Sequence, residues 1–246
     1  TSSKAMEYSV VVENLPAPQL KLTVEGSDSA MSAPTLSWDA IDGAGNYNAY
    51  MTKPDGSQVT LGESSVDRSY KLNTSEWSTA AEGDYTFEVV ANPDGTDAGK
   101  RPSVPATLTV RRLAAPAGVE LRASDDGKDI GVHWTSADAA VSGLSYHTTA
   151  QITASGQQKS LDTAGNETFL SFKDYFAALP QGGYSYQVAK VQAIGDGSAT
   201  LTSKASSQMQ AVRISKLGQI GKPAFDTADD KVTTFWTGVS YIDGGT

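Results

Sequence analysis

The chain has 246 residues and a formal net charge of −9, from 19 basic and 28 acidic side chains. Such an acidic surface repels phosphate groups, and no stripe of Lys or Arg interrupts it, which argues against nucleic acid and anionic lipid as partners. The chain contains no cysteine, so disulfides, Cys-based zinc sites and thiol catalysis are excluded. Since no apolar run approaches the length of a membrane span, we expect no direct membrane insertion.

The first predicted elements are short strands. Residues 4–14 (KAMEYSVVVEN) are typical of the last strand of a module that precedes residue 16. Apolar and polar residues then alternate in four runs, which are LKLTV at 20–24, TLSW at 35–38, NYNAYM at 46–51 and YTFEVV at 85–90. This period of two indicates half-buried strands. PDG at 54–56 predicts a hairpin turn, because Pro presets φ and Gly accepts a positive φ.

A short helical turn is predicted before the strand at 85–90. The stretch NTSEWSTAA offers Asn73 and Glu76 at the spacing of a capping box. The corresponding stretch of the next hundred residues is FLSFKDYFAALPQ, whose apolar residues at 169, 172, 176 and 179 have a helical spacing. We therefore expect a helical turn at both places.

The same scheme recurs along the chain. The strands VELRA, IGVHW, SYHTTAQIT and YSYQV follow, and KPAFDTADDKVTTFW then supplies two strands of a third copy. Three markers recur at intervals of roughly a hundred residues, which is the mark of a repeat protein. They are Trp38, Trp134 and Trp236, the tyrosines Tyr85 and Tyr184, and the prolines Pro18, Pro116 and Pro223. We predict modules at 16–112 and 113–217, with 1–15 the last strand of a preceding module and 218–246 the first strands of an incomplete third.

These markers together resemble fibronectin type III domains, in the variety found in bacterial proteins. The likeness lies in the tryptophan of the second strand, a tyrosine on the third, the glycine–tyrosine entry into the sixth (GDY and GGY) and VQAIGDG leaving it. It implies an all-β fold of tandem fibronectin type III-like or immunoglobulin-like β-sandwiches. It also implies an extracellular or cell-surface location. The residues expected to mark the cores are Trp38, Trp134, Trp236, Tyr85 and Tyr184.

Candidates for catalysis are few. Neither a nucleophile elbow, a zinc-protease motif nor a phosphate-binding loop is present in the sequence. His133 and His147 stand beside Trp134 and Tyr146, so strand alternation turns both imidazoles away from the core and towards solvent. We therefore predict a chain that is not an enzyme, with an accessory region of a larger secreted enzyme as the alternative.

Two acidic clusters leave calcium open as a cofactor, although none is predicted. Calcium takes roughly six to eight oxygen ligands, which acidic loops can supply. Neither cluster has the spacing of an EF-hand, and both are typical of ordinary Asp/Gly turns. The clusters are Asp125, Asp126 and Asp129 in SDDGKD, and Asp226, Asp229 and Asp230 in DTADD.

Exposed aromatic residues could stack on sugars. On the strand NYNAYM, Tyr47 and Met51 share one face and Tyr50 points to the other, so Tyr50 is the first platform candidate. Trp77 is the second, and its alternative is to pack beneath the crossover as a core residue. Single exposed aromatic side chains are normal on protein surfaces, so neither residue defines a glycan site by itself.

The leading functional hypothesis is a fragment of a bacterial cell-surface or secreted protein that acts as a semi-rigid spacer and adhesion scaffold. Its expected partners are flanking modules of the same chain or neighbouring copies, and glycans or surface proteins. A second hypothesis is a glycan-binding surface module. A third is a structural subunit of a filament, a surface layer or a phage virion, assembled through incomplete terminal sandwiches.

Overall fold

The structure is a computed structural model, and almost all of its regular secondary structure is β-strand. It describes residues 9, 11–25, 32–123, 130–154, 157–165, 168–174, 182–210, 212–216, 224–228 and 231–235. Contacts divide the chain into two compact units. The first unit comprises Thr1–Ala114, Ala140–Leu144 and Ala193–Lys204, and the second comprises Ala115–Ala139, Ser145–Gln192 and Ala205–Thr246.

The strands predicted from the alternating pattern are present in the predicted order, together with shorter strands that the pattern did not predict. The first elements are β1 (Glu13–Asn14), β2 (Leu20–Thr23), β3 (Thr35–Trp38), β4 (Ala44–Thr52), β5 (Gln58–Ser65), β6 (Ser69–Lys71), α1 (Thr74–Thr79), β7 (Gly83–Pro93), β8 (Lys100–Arg101) and β9 (Ala106–Arg112). The next are β10 (Ala117–Ala123), β11 (Ile130–Thr135), β12 (Ser145–Ala154), β13 (Gln157–Gly165), β14 (Phe169–Ser171), β15 (Gly182–Ile194), β16 (Thr200–Leu201), β17 (Val212–Lys216), β18 (Ala224–Ala228) and β19 (Lys231–Phe235).

The first unit is a β-sandwich. One sheet has the strand order β2-β3-β6, and the facing sheet has the order β16-β9-β7-β4-β5. Apolar side chains from both sheets fill the space between them, with Leu36, Phe87 and Val89 completely buried. Because alternate residues of each strand point inward, the period-two pattern read from the sequence becomes the core.

The second unit repeats this strand order. Its sheets run β10-β11-β14 and β13-β12-β15-β17, and Val132, Trp134, Tyr146 and Phe172 are buried. The prediction of an all-β fold with tandem β-sandwiches is thus confirmed. The predicted pair of strands near the C-terminus is present as the antiparallel hairpin β18–β19.

The predicted helical turn before the sixth strand is α1. Asn73 is its N-cap, and the Oδ1 atom accepts hydrogen bonds from the backbone N–H groups of Ser75 (2.9 Å) and Glu76 (3.3 Å). This satisfies two of the N–H groups that have no partner within the helix. The second predicted turn falls largely on residues 175–181, which lie outside the described residues. No helix in the described part of the chain is long and apolar enough to cross a membrane.

Candidate functional site

The recurring tryptophans lie in equivalent positions of the two cores. Trp38 contacts Tyr47 edge to face, with 5.6 Å between ring centres, and Trp134 contacts Tyr146 in the same way at 5.4 Å. Edge-to-face pairs of this kind add to the energy of burial, because the positive ring edge meets a negative ring face. Trp236, the third residue of the series, lies outside the described residues.

Tyr85 is a corner residue of the first sandwich. Its hydroxyl donates a 2.8 Å hydrogen bond to the carbonyl oxygen of Ala81, four residues upstream, and its ring is buried. This bond is the tyrosine corner that many sandwiches carry at the start of the sixth strand. The backbone of Tyr184 pairs with Ile214 as that of Tyr85 pairs with Val110, so the two tyrosines share one register.

Those remaining candidates that lie among the described residues do not come together in one site. Of the six aspartates considered for calcium, Asp125, Asp126, Asp129, Asp229 and Asp230 lie outside the described residues, and Asp226 pairs with Thr233 in the β18–β19 hairpin. Among the described residues, no group of three or more His, Cys, Asp or Glu is placed to hold a metal ion. His133 and His147 are half-buried, and each stands next to a buried aromatic residue, Trp134 or Tyr146.

The two proposed sugar platforms differ in their surroundings. Tyr50 is half-buried on β4. Trp77 is only 4% exposed, because its ring packs on Tyr85 (5.1 Å between ring centres) and beneath the guanidinium of Arg112. This placement is that of a core residue, which was the alternative for Trp77, and leaves no open ring face for a sugar.

A groove of about 630 Å³ opens beside Trp77 in the first unit. Its apolar lining includes Met51, Leu61, Leu72 and Tyr70, and its charged lining consists of Lys53, Asp55 and Glu76. Two hydrogen bonds from Ser57, one from the hydroxyl and one from the backbone N–H, lower the pKa of Asp55. The groove has the size of a small-ligand site.

Two short parallel pairings are the feature that the repeats share and that the sequence did not predict. In the first bridge, Glu13 and Asn14 of β1 pair with Lys100 and Arg101 of β8. The N–H of Glu13 donates to the carbonyl of Gly99, and the N–H of Leu15 donates to the carbonyl of Arg101, both at 3.0 Å. Residues just before β2 are thereby attached to the loop between β7 and β9, residues 94–103, here called the first loop.

The second bridge has the same geometry. Arg111 and Arg112 at the end of β9 pair in parallel with Thr200 and Leu201 of β16. The N–H of Arg111 donates to the carbonyl of Ala199 (2.9 Å), and that of Leu113 donates to the carbonyl of Leu201 (3.0 Å). The acceptors belong to residues 195–203, here called the second loop, and all of these residues are part of the first unit.

Both bridges are fixed by buried residues at equivalent positions. Leu15 and Leu113, which follow the paired residues, are 3% and 1% exposed. The last residue of each loop is a serine that is hydrogen-bonded to the strand before the loop. Ser103 forms two hydrogen bonds with Ala91 of β7 (2.9 and 3.0 Å). Ser203 forms two with Ala193 of β15 (both 2.9 Å). The bridge is therefore a repeated structural unit of strand end, leucine, loop and serine.

An aspartate orders each loop from within. In the second loop, the Asp196 carboxylate accepts backbone hydrogen bonds from Ser198, Ala199 and Thr200 at 2.8–2.9 Å. These bonds, above all those from Thr200 and Ser198, lower the pKa of Asp196 to about 2. A Cβ atom on Gly195 would lie 2.4 Å from the carbonyl oxygen of Thr200, so this close turn requires glycine. In the first loop, Asp94 accepts from Thr96 and Asp97 accepts from Gly99.

The sequence carries a weak signal for the bridges that the strand pattern did not use. Two polar residues and a leucine occur at both places, as ENL at 13–15 and RRL at 111–113. A proline follows directly in the first case and after two alanines in the second. Without the structure, the leucine is read as part of a linker. The loops themselves differ in length and share little beyond an Asp-Gly pair and the closing serine.

Comparisons with known proteins find no family and no curated relative. No protein-family model matches the chain, and no curated protein matches it. Similar solved structures include a cytokine receptor complex (18% identity, covering 79% of this chain and 95% of that chain, TM-score 0.32). A second is a Fn3-like protein from Clostridium thermocellum (25% identity, covering 38% of this chain and 88% of that chain, TM-score 0.26). A third consists of the FN1–FN3 domains of chicken CNTN1 (12% identity, covering 92% of this chain and 75% of that chain, TM-score 0.36).

The class of fold follows from the strand order. In the first unit, the three-stranded sheet β2-β3-β6 faces a sheet in which β4, β7 and β9 are neighbours. These are the third, sixth and last strands of the sandwich, and the tyrosine corner lies at the start of β7. This is the arrangement of a fibronectin type III-like sandwich. Both repeats have this strand order. The chain therefore contains tandem fibronectin type III-like modules.

Proposed function

We propose that the chain is a non-catalytic, semi-rigid spacer and adhesion scaffold of a bacterial cell-surface or secreted protein. The observation that supports this function best is the pair of bridges, because each one holds the end of a last strand and the leucine that follows it. A chain whose task is to set distance needs its linkers held in one conformation.

The bridges restrict the linker in three ways. Two backbone hydrogen bonds fix the extended conformation at each site. A leucine is buried directly after the paired residues, so opening the bridge exposes apolar surface. Pro16 and Pro116 then limit φ in the residues that follow, which favours an extended and stiff connection.

Nuclear magnetic resonance relaxation of the full chain tests this function. We expect backbone order parameters for residues 111–114 close to those of β7, about 0.85 on the ps–ns timescale. Arg111→Pro removes the N–H that donates to Ala199, and should lower the order parameters of these residues. Arg111→Ala is the matched control, since it shortens the side chain and keeps the N–H group.

Values below about 0.6 for residues 111–114 in the unmodified chain would contradict the spacer function, because a linker that mobile sets no distance. Equal values in the Pro and Ala variants would show that the hydrogen bond from Arg111 does not order the linker.

The groove beside Trp77 favours a second candidate function, glycan binding. Tyr70 is partly exposed there and offers a ring face, and Asp55 and Glu76 offer acceptors for sugar hydroxyl groups. Titration with a panel of polysaccharides, followed by calorimetry, tests this function. Binding that Tyr70→Ala abolishes and Tyr50→Ala retains would support the groove as the site, and no binding across the panel would exclude it.

A further inference from the structure

The paired positions of the two bridges carry different charges. In the first bridge, acidic Glu13 faces Lys100, and Asn14 faces Arg101. In the second bridge, basic Arg111 faces Thr200, and Arg112 faces Leu201. The backbone geometry is the same in both, so the side chains are what distinguishes one bridge from the other.

In the first bridge, the opposite charges are in direct contact. The Lys100 ammonium donates a hydrogen bond to the Glu13 carboxylate across the paired strands. This hydrogen bond is the main cause of a raised pKa for Lys100, and the negative charges of Glu13, Asp97 and Asp42 add to it. The first loop therefore presents a cationic position to the segment that it holds.

In the second bridge, the basic residues are directed to other groups. The Arg111 guanidinium donates to the Asp84 carboxylate at 3.0 Å, on the neighbouring strand β7. Arg112 turns into the core of the first unit and donates to backbone carbonyls. The second loop meets these residues with an uncharged pair, Thr200 and Leu201, which places no cation against them.

Exchanging the segments between the loops would produce a conflict of charge. The Arg-Arg-Leu segment placed in the first loop would set Arg111 against Lys100 and Arg112 against Arg101. Like charges directly opposite each other destabilise a strand pair. The Glu-Asn-Leu segment placed in the second loop would leave Glu13 opposite a threonine, without its cation.

We propose that the first loop is a docking site for an acidic extended segment of the Glu-Asn-Leu type, and that it rejects the basic Arg-Arg-Leu type. Charge at the paired positions then determines which strand end each loop accepts. This inference rests on the spacer function proposed above, because selection matters only where strand ends are held by loops.

A charge-swap cycle in the full chain tests the proposal. The variants are Glu13→Arg, Lys100→Glu and the double swap, and the readout is hydrogen exchange at the amide of Leu15 under conditions where exchange reports the opening equilibrium. Each single change removes an ion pair and adds a repulsion, so we expect exchange at Leu15 to be roughly three- to tenfold faster. The double swap should exchange more slowly than either single variant, although the carboxylates of Asp97 and Asp42 lie near the new Glu.

Three controls accompany the charge-swap cycle. The amide of Leu113 reports the second bridge and should keep its rate in all three variants. Glu13→Gln removes the charge without adding repulsion, and should accelerate exchange at Leu15 about twofold, less than Glu13→Arg. In about 1 M salt, where charges are screened within about 3 Å, the difference between Glu13→Arg and Glu13→Gln should shrink.

The outcomes separate this proposal from the spacer function. Protected amides at Leu15 and Leu113 in the unmodified chain, with no recovery in the double swap, would overturn selection by charge and leave the spacer function standing. Free exchange of both amides in the unmodified chain would overturn the two proposals together.

Discussion

The guanidinium of Arg112 lies over the indole of Trp77, with its central carbon 4.6 Å from the ring centre. The Nη1 atom also donates hydrogen bonds to the carbonyl of Trp77 at 2.5 Å and to that of Ala80 at 3.0 Å. Those carbonyls end α1, which has no basic residue in its own last turn. A residue of the second bridge thus caps the crossover helix and covers its tryptophan.

The first prediction concerns Arg112, which is 2% exposed. Arg112→Ala leaves the carbonyls of Trp77 and Ala80 without this donor and removes the cation from the ring. We expect the free energy of unfolding of the first unit to fall by about 2–4 kcal/mol. A urea titration resolved by residue, followed on amides of β7, measures this.

Its neighbour Arg111 provides the matched control. Arg111 is half-buried and pairs with Asp84 at the surface, so Arg111→Ala should cost about 1 kcal/mol or less. Equal losses for the two alanine variants would contradict the role assigned to Arg112.

A second prediction concerns the tyrosine corner. Tyr85→Phe removes the hydroxyl that donates to Ala81 and preserves the buried ring. The expected cost is about 1 kcal/mol, the usual net value of one hydrogen bond, measured by the same titration. Tyr70→Phe, at an exposed position, should be neutral, and a neutral Tyr85→Phe would mean that the corner bond does not stabilise the sandwich.

The third prediction is a pH dependence of the second loop. The pKa of Asp196 is lowered from its ordinary 3.8 to about 2 by backbone hydrogen bonds. A carboxylate with a lowered folded-state pKa stabilises the fold above the unfolded pKa, and loses this contribution as pH falls through the folded value. The contribution is therefore complete above about pH 4 and disappears towards pH 2 and below.

The size of the Asp196 contribution follows from the same pKa shift. The shift corresponds to on the order of 2 kcal/mol before screening, and exposure of Asp196 to solvent reduces it to about 1 kcal/mol. Amide exchange at Leu113 in the unmodified chain and in Asp196→Asn should differ at neutral pH and converge at acid pH, after correction for intrinsic rates. A difference that persists below pH 2 would show that the carboxylate charge is not its cause.

The fourth prediction concerns the leucine that ends the first bridge. Leu15 is part of the apolar core of the first unit, so Leu15→Ala should lower its free energy of unfolding by about 2–3 kcal/mol. Val12→Ala, three residues earlier and largely exposed, should change it by less than about 0.5 kcal/mol. Comparable losses at the two positions would mean that the segment packs as a whole and that Leu15 is not its anchor.

The sequence predicted the strands well because burial leaves a period of two in the side chains. The runs at 20–24, 35–38, 46–51 and 85–90 correspond to β2, β3, β4 and β7 within a few residues. The cap at Asn73 was also predictable, since few residue types accept backbone N–H groups at a helix start.

The bridges were not predictable in the same way. They consist of N–H and carbonyl groups, which nearly every residue has, and each covers only two paired residues. Trp77 shows a related limit, because its surroundings depend on Arg112, thirty-five residues further along the chain. Contacts of that range leave no periodic pattern in the sequence.

The measurement that tests the account most directly is detection of the bridge hydrogen bonds themselves, by nuclear magnetic resonance couplings transmitted through the bond. We predict cross-peaks that join the amide nitrogen of Leu15 to the carbonyl carbon of Arg101, and that of Leu113 to the carbonyl carbon of Leu201. The ladder between β7 and β9 supplies reference couplings in the same spectrum. Ladder couplings present with both bridge couplings absent would contradict the central claim that each loop holds the strand end it faces.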